Sequence, residues 1–404
     1  MFRVLLYACA CVAAYGQPLL DARTAVANAL QRHPLLAAGS ARITAAAGLQ
    51  LQASLRPNPR AVFQTENWRF KGAPEFTPST DVDTFLYASQ LIETASKRKL
   101  RTEFAAAGVQ RSQLERELTM KQIAGRVRIA YWAAVGAQRV RDLLEENVST
   151  YDQIVRYHEL RVREGAMAEA DLLKVRLERE RVAVAANSAS LDARRALIEL
   201  FRAMGETDFA PVRLTDQLEP VSPIPTFNEG DALANRTELK LAAQGVEQAR
   251  ANLRLQQSLA RPDVEVLGGY KHTAGANTVI GGVQVSVPFA NRNQGNIDAA
   301  NSEIRVAESQ AAATKALVTA EVRAAVAEAE NRRGQLTNLL PGIVAQANEA
   351  SRISQAAYRE GGADLLRFLD TERVRIEAQA MYYRTLADYH QSLASLELAL
   401  GVAP

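Results

Sequence analysis

The amino-acid sequence predicts a mainly α-helical protein with a small β part, in which one structural plan occurs twice. Three observations predict this class: a composition typical of long helices, landmarks that recur in both halves, and paired segments with strand periodicity. The 404 residues include only 14 Pro and 22 Gly, and aromatic residues make up 6% of the chain. These fractions favour long packed helices and disfavour a large all-β protein.

Charge and hydrophobicity exclude two classes of protein. Lys and Arg number 48, Asp and Glu number 45, and the formal net charge is +3. A nucleic-acid-binding protein has a basic excess or a basic stripe, so this balance argues against nucleic acid as a partner. Hydrophobic residues make up 48% of the chain, which is too large a fraction for a disordered protein.

The first segment, residues 1–16, predicts a secretory signal peptide. An apolar core over residues 4–14 is followed by Ala14-Tyr15-Gly16, a cleavage site of the small-x-small type. Cys9 and Cys11 are the only cysteines, so cleavage leaves a mature chain without cysteine. Two other interpretations stay open: an apolar helix that is retained, and lipidation of Cys9, whose preceding residues form a poor lipobox.

Four landmarks recur in the same order in the two halves of the chain. Residues 29–38 resemble 233–242, 54–57 resemble 259–262, 163–165 resemble 359–361, and 171–173 resemble 364–366. The ordered set predicts an internal duplication. The first repeat covers residues 17–210 and the second 231–404. The linker between them, residues 211–230, contains four prolines that interrupt an otherwise helical chain.

Each repeat begins with a helix, over about 21–55 and about 229–260, and a proline ends it. A β-hairpin follows, over about 58–93 in the first repeat and about 262–290 in the second. In the second hairpin, apolar residues such as Val266 and Val283 alternate with polar residues such as Glu265 and Gln284. This period of two gives each strand one apolar and one polar face.

A long helical hairpin completes each repeat, over about 95–204 and about 291–400. No proline occurs between residues 101 and 165, and some sixty helical residues span roughly 90 Å. Four-three spacing predicts a coiled-coil seam, with His158 within it, that consists of Leu144, Val148, Tyr151, Val155 and Val162. An ordinary helical bundle stays open, but the length favours hairpins that turn at Gly165 and at Gly361-Gly362.

The two β-hairpins supply four strands, each long enough to cross a bilayer when tilted, which takes about 9–11 residues. Four strands cannot close a transmembrane barrel, because the smallest bacterial barrels have about eight. Two copies would give eight strands, and three would give twelve with a wet lumen. The candidates for lumen-facing residues are Asp263, Glu265, Lys271, Gln284 and Ser286. A soluble sheet packed on the helices of its own chain stays open.

No motif for catalysis or for a cofactor is present in the sequence. The four histidines are widely separated and none pairs with another at the i, i+4 spacing of a zinc site. Neither a Gly-x-Ser-x-Gly elbow nor a Walker loop occurs. We therefore expect that the protein is not an enzyme and that it has no metal site and no cofactor. Any energy that its function requires would then come from a partner protein.

Several phrases resemble TolC-type outer membrane efflux proteins, and more closely those that serve RND-type exporters. Two phrases are specific: PFANRNQGN over residues 288–296 and YREGGADLLRFLD over residues 358–370. The resemblance covers essentially the whole mature chain. It implies a homotrimer with a long α-helical barrel in the periplasm, topped by a shared twelve-stranded transmembrane β-barrel in the outer membrane. It also implies a periplasmic adaptor and an inner-membrane exporter, of RND type, as partners.

The resemblance further implies a periplasmic gate at the hairpin tips. Asp370 matches the second of two acidic residues that ring the entrance, whereas Arg367 replaces the first. Tyr358 matches a tyrosine that holds the entrance closed. Asp171 matches an aspartate that pairs with an arginine in the family, and Ala363 occupies the place of that arginine. We therefore expect Arg367 to reach Asp171 or Asp370 instead.

The favoured function is a passive exit duct of a tripartite efflux system, which conducts small molecules or metal ions. An exit duct for type I protein secretion stays open, because the sequence hardly separates the two. A periplasmic adaptor is the alternative from another class. Adaptors carry one helical hairpin between compact β-domains, whereas this sequence predicts two helical hairpins and two separate β-hairpins.

Overall fold

A computed structural model describes residues 18–69 and 75–402. The predicted signal peptide, residues 1–16, lies outside the described residues. The predicted fold class is confirmed: the chain is mainly helical with a small sheet, and the plan of helix, β-hairpin and helical hairpin occurs twice. Residues 38–118 and 237–317 form one compact unit, here called the sheet unit, and the other described residues form the hairpin unit.

The elements have the following bounds. The strands are β1 (Leu19–Leu20), β2 (Arg60–Glu66), β3 (Asp83–Ile92), β4 (Arg213–Leu214), β5 (Val264–Thr273) and β6 (Ala276–Val285). The helices are α1 (Ala22–Arg32), α2 (Pro34–Ser54), α3 (Pro78–Asp81), α4 (Lys97–Arg163), α5 (Glu169–Met204), α6 (Glu229–Asn235), α7 (Thr237–Leu259), α8 (Gln294–Gly334), α9 (Leu340–Arg359) and α10 (Leu365–Ala399). Among the described residues, no helix is both long enough and apolar enough to span a membrane.

The sheet unit is built on one antiparallel sheet of four strands in the order β2–β3–β5–β6. The pairing of β3 with β5 joins the hairpins of the two repeats, with Leu86 opposite Tyr270. Strands β2 and β6 are the edges, and each pairs on one side only in the part of the chain that the structure describes. One face of the sheet is apolar and exposed, and it carries Phe63, Leu86, Val266, Tyr270, Val279, Val283 and Val285.

Each predicted first helix is in fact two helices. The first repeat breaks at His33, between α1 and α2, where the backbone is extended (φ −62°, ψ 125°). Pro34 causes this break, because its ring disfavours the helical conformation in the preceding residue. The second repeat breaks at Arg236, between α6 and α7. The Arg236 side chain is buried and donates hydrogen bonds to the Ala399 carbonyl and to Glu321 (both 2.8 Å).

The first arm of the second helical hairpin is interrupted, which the sequence analysis did not predict. Helix α4 runs unbroken for 67 residues. Its counterpart is divided into α8 and α9 by a π-helical turn over Gln335–Leu339. Pro341, in the first turn of α9, has no N–H group to donate to the preceding turn. The regular ladder of hydrogen bonds therefore cannot continue through this point, and the backbone forms one wider turn there.

The hairpin unit contains the predicted coiled-coil seam. Leu144, Tyr151 and His158 of α4 are buried, whereas Val148 and Val155 are half-buried beside them. The partners in this core come from α5 and α10 and include Val175, Ala186, Ala189, Phe368, Leu369 and Ile376. Several of these partners are small, which lets the helices approach each other closely.

Aromatic side chains hold the proline-rich linker against the hairpin unit. The Tyr131 hydroxyl accepts a hydrogen bond from the Asp216 N–H (3.3 Å), and the Tyr389 hydroxyl donates to the Ser222 carbonyl (2.5 Å). The His390 ring stacks on Trp132 with 4.1 Å between centroids. Its Nε2–H donates to the carbonyl of Leu218 in the linker (2.7 Å). The linker is therefore an ordered part of this unit.

We expect the packing of the linker on α10 to weaken as the pH falls below 6.5, the ordinary pKa of histidine. Burial holds the pKa of His390 below that value, so the unfolded chain binds this proton more readily than the folded chain. Stability that is present at higher pH is then lost as the pH falls through this range. Hydrogen exchange of the amide of Leu218 and its neighbours, corrected for the intrinsic rate, measures the effect.

The substitution His390→Gln should remove the pH-dependent part of this protection. His272→Gln serves as the matched control, because His272 lies on β5 in the sheet unit. Equal pH slopes in the parent and in His390→Gln would contradict the role of His390.

Candidate functional site at the turns of the helical hairpins

The first helical hairpin turns at Gly165, as predicted. Gly165 has a φ of +72°, a left-handed conformation that glycine adopts without steric cost. The Gly165 N–H donates to the Val162 carbonyl (3.0 Å), and the Ala166 N–H donates to the Arg161 carbonyl (2.9 Å). These bonds satisfy carbonyl groups that the end of α4 would otherwise leave open.

The second helical hairpin turns in the same way at Gly361. Its φ is +79°, and its N–H donates to the Tyr358 carbonyl (3.2 Å). The Gly362 N–H donates to the Ala357 carbonyl (2.8 Å). Gly361 needs the left-handed conformation, whereas a Cβ atom at Gly362 would meet the Ala357 carbonyl oxygen at an ordinary 3.6 Å. The two predicted turn glycines are therefore not equivalent.

Tyr358 links three helices near these turns. Its hydroxyl lies 2.7 Å from Nε2 of His158 on α4. Its ring is nearly parallel to that of His158 (centroids 5.8 Å apart) and to that of Phe368 on α10 (5.3 Å). Burial is the main cause that raises the pKa of Tyr358. Tyr358 therefore ties α9 to both α4 and α10 within one chain.

His158 is the functional candidate that the sequence analysis missed. It is 1% exposed, and its Nδ1 lies 2.7 Å from the Ile154 carbonyl oxygen. A carbonyl oxygen only accepts, so Nδ1 carries the hydrogen and Nε2 accepts from the Tyr358 hydroxyl. The available signal was a histidine within a coiled-coil seam, where a polar side chain needs a partner.

Asp370 pairs with Arg373 and not with Arg367, so that predicted pair is wrong. The Arg373 guanidinium donates to the Asp370 carboxylate. Side chains on a helix lean toward its N-terminus. Arg373 therefore leans back over Asp370, whereas Arg367 leans away from it. Both carboxylate and guanidinium of the Asp370 pair are exposed.

Asp171 also has a partner other than Arg367. Its carboxylate pairs with Lys174 on the same helix at 3.1 Å, so the expected contact with Arg367 is corrected. Among the described residues, the Arg367 side chain forms no ion pair. Its backbone N–H donates to the side chain of Asp364, which caps the start of α10 (2.8 Å).

A buried polar network lies farther from the turns, between α4, α9 and α10. Glu372 is 6% exposed and accepts a hydrogen bond from Ser351 and from Arg375 (2.9 Å). Arg375 also donates to the side chain of Asn147 on α4 (2.7 Å). Nearby, the buried Tyr151 hydroxyl has no hydrogen-bond partner among the described residues, and burial raises its pKa to about 12.

The strand residues predicted to face a lumen share one face of the sheet. Glu265 is opposite Gln284, and Lys271 is opposite Thr278. The Ser89 hydroxyl donates to Glu265 (2.6 Å). Neighbouring strand positions alternate between faces, so these residues lie on the face opposite the apolar one.

Asp263 directly precedes β5, which begins at Val264, and Ser286 directly follows β6, which ends at Val285. The Asp263 carboxylate accepts from the Lys97 ammonium and from the Thr94 N–H (both 2.8 Å). The Lys97 side chain is 5% exposed. Asp263 therefore anchors the start of β5 to the start of α4. In the described ranges, no three His, Cys, Asp or Glu residues are grouped as a metal site.

Comparisons with known proteins give one family and a set of similar folds. The family model described as outer membrane efflux protein matches residues 25–206 and 230–402. The chain is 22% identical over 374 residues to the cobalt-zinc-cadmium resistance protein CzcC of Cupriavidus metallidurans, which covers 91% of this chain and 86% of that protein.

Two solved structures illustrate the similarity of the fold. The crystal structure of CusC has a TM-score of 0.80 and 17% identity, over 94% of this chain and 91% of that one. The outer membrane channel MtrE of Neisseria gonorrhoeae, solved in its open state, has a TM-score of 0.78 and 17% identity, over 94% of this chain and 88% of that one.

The two turn glycines provide a prediction with an internal control. Gly361→Ala should destabilise the second turn by about 1–2 kcal/mol, because a Cβ atom strains the left-handed conformation. Gly362→Ala should cost less, because its φ is not positive and its Cβ has room. Hydrogen exchange of the first-turn amides of α10 measures both. Equal exchange in the two variants would show that the turn tolerates a side chain at either place.

Proposed function

Because this chain belongs to the outer membrane efflux protein family and is an outer membrane efflux channel of a tripartite system, we propose that its working form is a homotrimer. Three copies then form one passive duct, with a long helical portion in the periplasm. The duct conducts small molecules or metal ions that a partner delivers.

The observation that carries the homotrimer is the open sheet. Strands β2 and β6 are paired on one side only in the described chain, and one face between them is apolar and exposed. In lipid, each unpaired backbone group at such an edge costs several kcal/mol. When β6 of one copy pairs with β2 of the next, both edges are satisfied. Three copies supply twelve strands, enough for a wet lumen.

The two faces of the sheet have different surroundings in this duct. The apolar face, with Val279 and Val283 strongly exposed, turns toward lipid. The opposite face turns toward the lumen and carries Glu265, Lys271 and Gln284, which keep water contact there. Ser286 and Asp263 lie at the end of the strands nearest the helices.

A passive duct does not drive transport itself, so partner proteins must supply the energy. A periplasmic adaptor links the duct to an inner-membrane exporter, and the exporter, of RND type, supplies the energy. The similarity to a cobalt-zinc-cadmium resistance protein favours metal ions over other small molecules as the cargo. Cells that lack this chain should then retain more Co²⁺, Zn²⁺ and Cd²⁺ than the parent. Equal retention of all three metals would favour a cargo of another class.

The hairpin tips form the periplasmic gate. The turns at Gly165 and at Gly361-Gly362 bring the ends of four helices of each copy to the entrance. Tyr358 holds α9 to α4 through His158 and so resists opening. Asp370 and Arg373 form an exposed pair on α10, and they set the charge that a permeating ion meets, together with Arg367 and Asp171.

A charge placed on the apolar face should prevent assembly. Val283→Arg should reduce the yield of trimer strongly, because an arginine on the lipid face costs about 2–4 kcal/mol per chain. Gln284→Arg is the matched control, since it adds the same side chain one residue later on the opposite face. Mass measurement of the detergent-extracted form gives both yields. Equal trimer yields would sink the assignment of the two faces.

Charge substitutions at the tip should change ion selectivity in a planar bilayer. Asp370→Asn should lower cation selectivity, because three like charges near one axis attract cations. Arg373→Ala should raise it, because Arg373 neutralises Asp370. In a double-mutant cycle these two substitutions should couple by about 0.2–1 kcal/mol.

Arg367→Ala is the control for this cycle. It removes the same charge six residues earlier without breaking an ion pair of the described chain, so its effect should add to that of Asp370→Asn. Coupling of Asp370 with Arg367 but not with Arg373 would show that the open channel uses a different pair.

A further inference from the structure

A cleft in the hairpin unit lies between α4, α5 and α10, and we call it the three-helix cleft. Its volume is about 440 Å³, within the range of about 300–1,000 Å³ that is usual for small-molecule sites. Its floor is apolar and includes Leu144 of α4, Val182 of α5 and Ile376 of α10. All of its lining belongs to one chain, so the cleft does not depend on how copies assemble.

Tyr151 gives the three-helix cleft one polar atom that lacks a partner. The Tyr151 side chain lines the cleft and is 1% exposed. Its hydroxyl has no hydrogen-bond partner among the described residues. The other buried hydroxyl of the lining, that of Thr385, already donates to the Met381 carbonyl (3.0 Å). A buried hydroxyl without a partner is unfavourable, so an occupant that offers it an acceptor is favoured.

The Tyr151 hydroxyl is available as a donor. Burial is the main cause that raises its pKa to about 12, so the hydroxyl keeps its proton at neutral pH. A single water molecule would accept this proton but would fill little of the cleft, because its share of liquid volume is about 30 Å³. The nearby Leu144 and Ile376 side chains are 7% and 6% exposed and offer water no polar partner. The floor therefore suits an apolar body that carries an acceptor.

The charges at the rim of the three-helix cleft balance each other. On α5, Arg181 lies 3.8 Å from Glu178. On α10, Arg373 is neutralised by the aspartate with which it pairs. The other two charged residues of the lining, Glu377 and Arg384, have opposite signs. An ionised ligand would lose hydration without meeting an excess of opposite charge, so the cleft favours an uncharged ligand.

We propose that the three-helix cleft binds an uncharged organic molecule that has an apolar body and one hydrogen-bond acceptor, such as a ketone or ester oxygen. The body packs on the apolar floor, and the acceptor receives the Tyr151 hydroxyl. On α4, Tyr151 is seven residues before His158, about 10 Å along the helix. The occupant therefore braces α5 and α10 near the bond between His158 and Tyr358. This site goes beyond the proposed duct, because it belongs to one copy and does not depend on the cargo.

Prendering the cleft inaccessible tests the site. The probe is prodan, an uncharged fluorescent naphthalene with one ketone oxygen, whose emission shifts to shorter wavelength when it leaves water. Titrated into the purified full chain in detergent, it should show a saturable component above the detergent background. Ala185→Trp should abolish this component, because Ala185 lines the cleft and the indole fills it. The matched control is Ala170→Trp, an exposed position of the same helix outside the cleft, which should bind prodan as the parent does.

Tyr151→Phe tests the acceptor, because it removes only the hydroxyl. It should bind prodan about three- to tenfold more weakly than the parent, the effect of one neutral hydrogen bond. A prodan analogue without the ketone oxygen, measured by displacement of prodan, should bind both chains equally. Without ligand, Tyr151→Phe should unfold no more easily than the parent, since it loses no bond of the described chain. Equal affinity of the two chains for prodan would overturn the role of the hydroxyl.

Hydrogen exchange locates the bound probe. Saturating prodan should slow exchange of the α5 amides near Val182 and of the α10 amides near Ile376, and should leave those of β5 unchanged. Protection confined to the sheet unit would overturn the site, and so would a parent chain with no saturable component beyond that of Ala185→Trp. Neither result bears on the proposed homotrimer, which the mass of the detergent-extracted form decides separately.

Discussion

The rest of the structure depends on one constraint: the described part of a single copy leaves backbone groups unpaired at both edges of its sheet. The four strands leave two edges and one exposed apolar face, and backbone groups at an open edge are expensive in lipid. Helices α5 and α9 also expose apolar side chains, among them Leu177 and Ile353. In the proposed homotrimer, backbone hydrogen bonds between copies satisfy the two strand edges.

Polar groups fix the alignment of helices whose apolar residues would tolerate several registers. Alanine-rich seams fit together at many offsets, since small side chains differ little from one turn to the next. The Glu372–Arg375–Asn147 network and the His158–Tyr358 bond have no such freedom, because a shift would leave buried polar groups without partners. Such buried polar groups are the usual way in which helical assemblies select one register.

Periodicity and turn chemistry were readable from the sequence. Strands with a period of two, glycines at the two hairpin turns and a repeated order of elements all depend on local properties of the chain. The Asp370 partner was not readable from spacing alone, because positions 367 and 373 are both three residues away. The lean of helical side chains decides between them. The bond between His158 and Tyr358 joins residues 200 positions apart, and only tertiary structure brings them together.

The prolines are a second case in which the sequence alone does not determine the local structure. Pro34 in α2 and Pro341 in α9 both lie in the first turn of a helix, a position that accepts a ring without an N–H group. Before Pro34 the backbone is extended at His33, whereas a π-helical turn leads into Pro341. A proline therefore marks a change in the helix without telling whether the helix is interrupted or continues through a wider turn. In this chain the outcome differs between the two cases.

The π-helical turn over Gln335–Leu339 has a mechanical consequence for the assembled duct. A continuous α-helix such as α4 resists bending along its whole length, because every turn is braced by the same bonds. At a π-helical turn followed by proline, that bracing is locally incomplete, so elastic stiffness is lowest there. A ring of three copies would then contain three continuous α4 helices, which are stiff, and three α8–α9 segments, which bend more easily. In the proposed homotrimer, the wall would therefore deform most easily at three places, one in each copy.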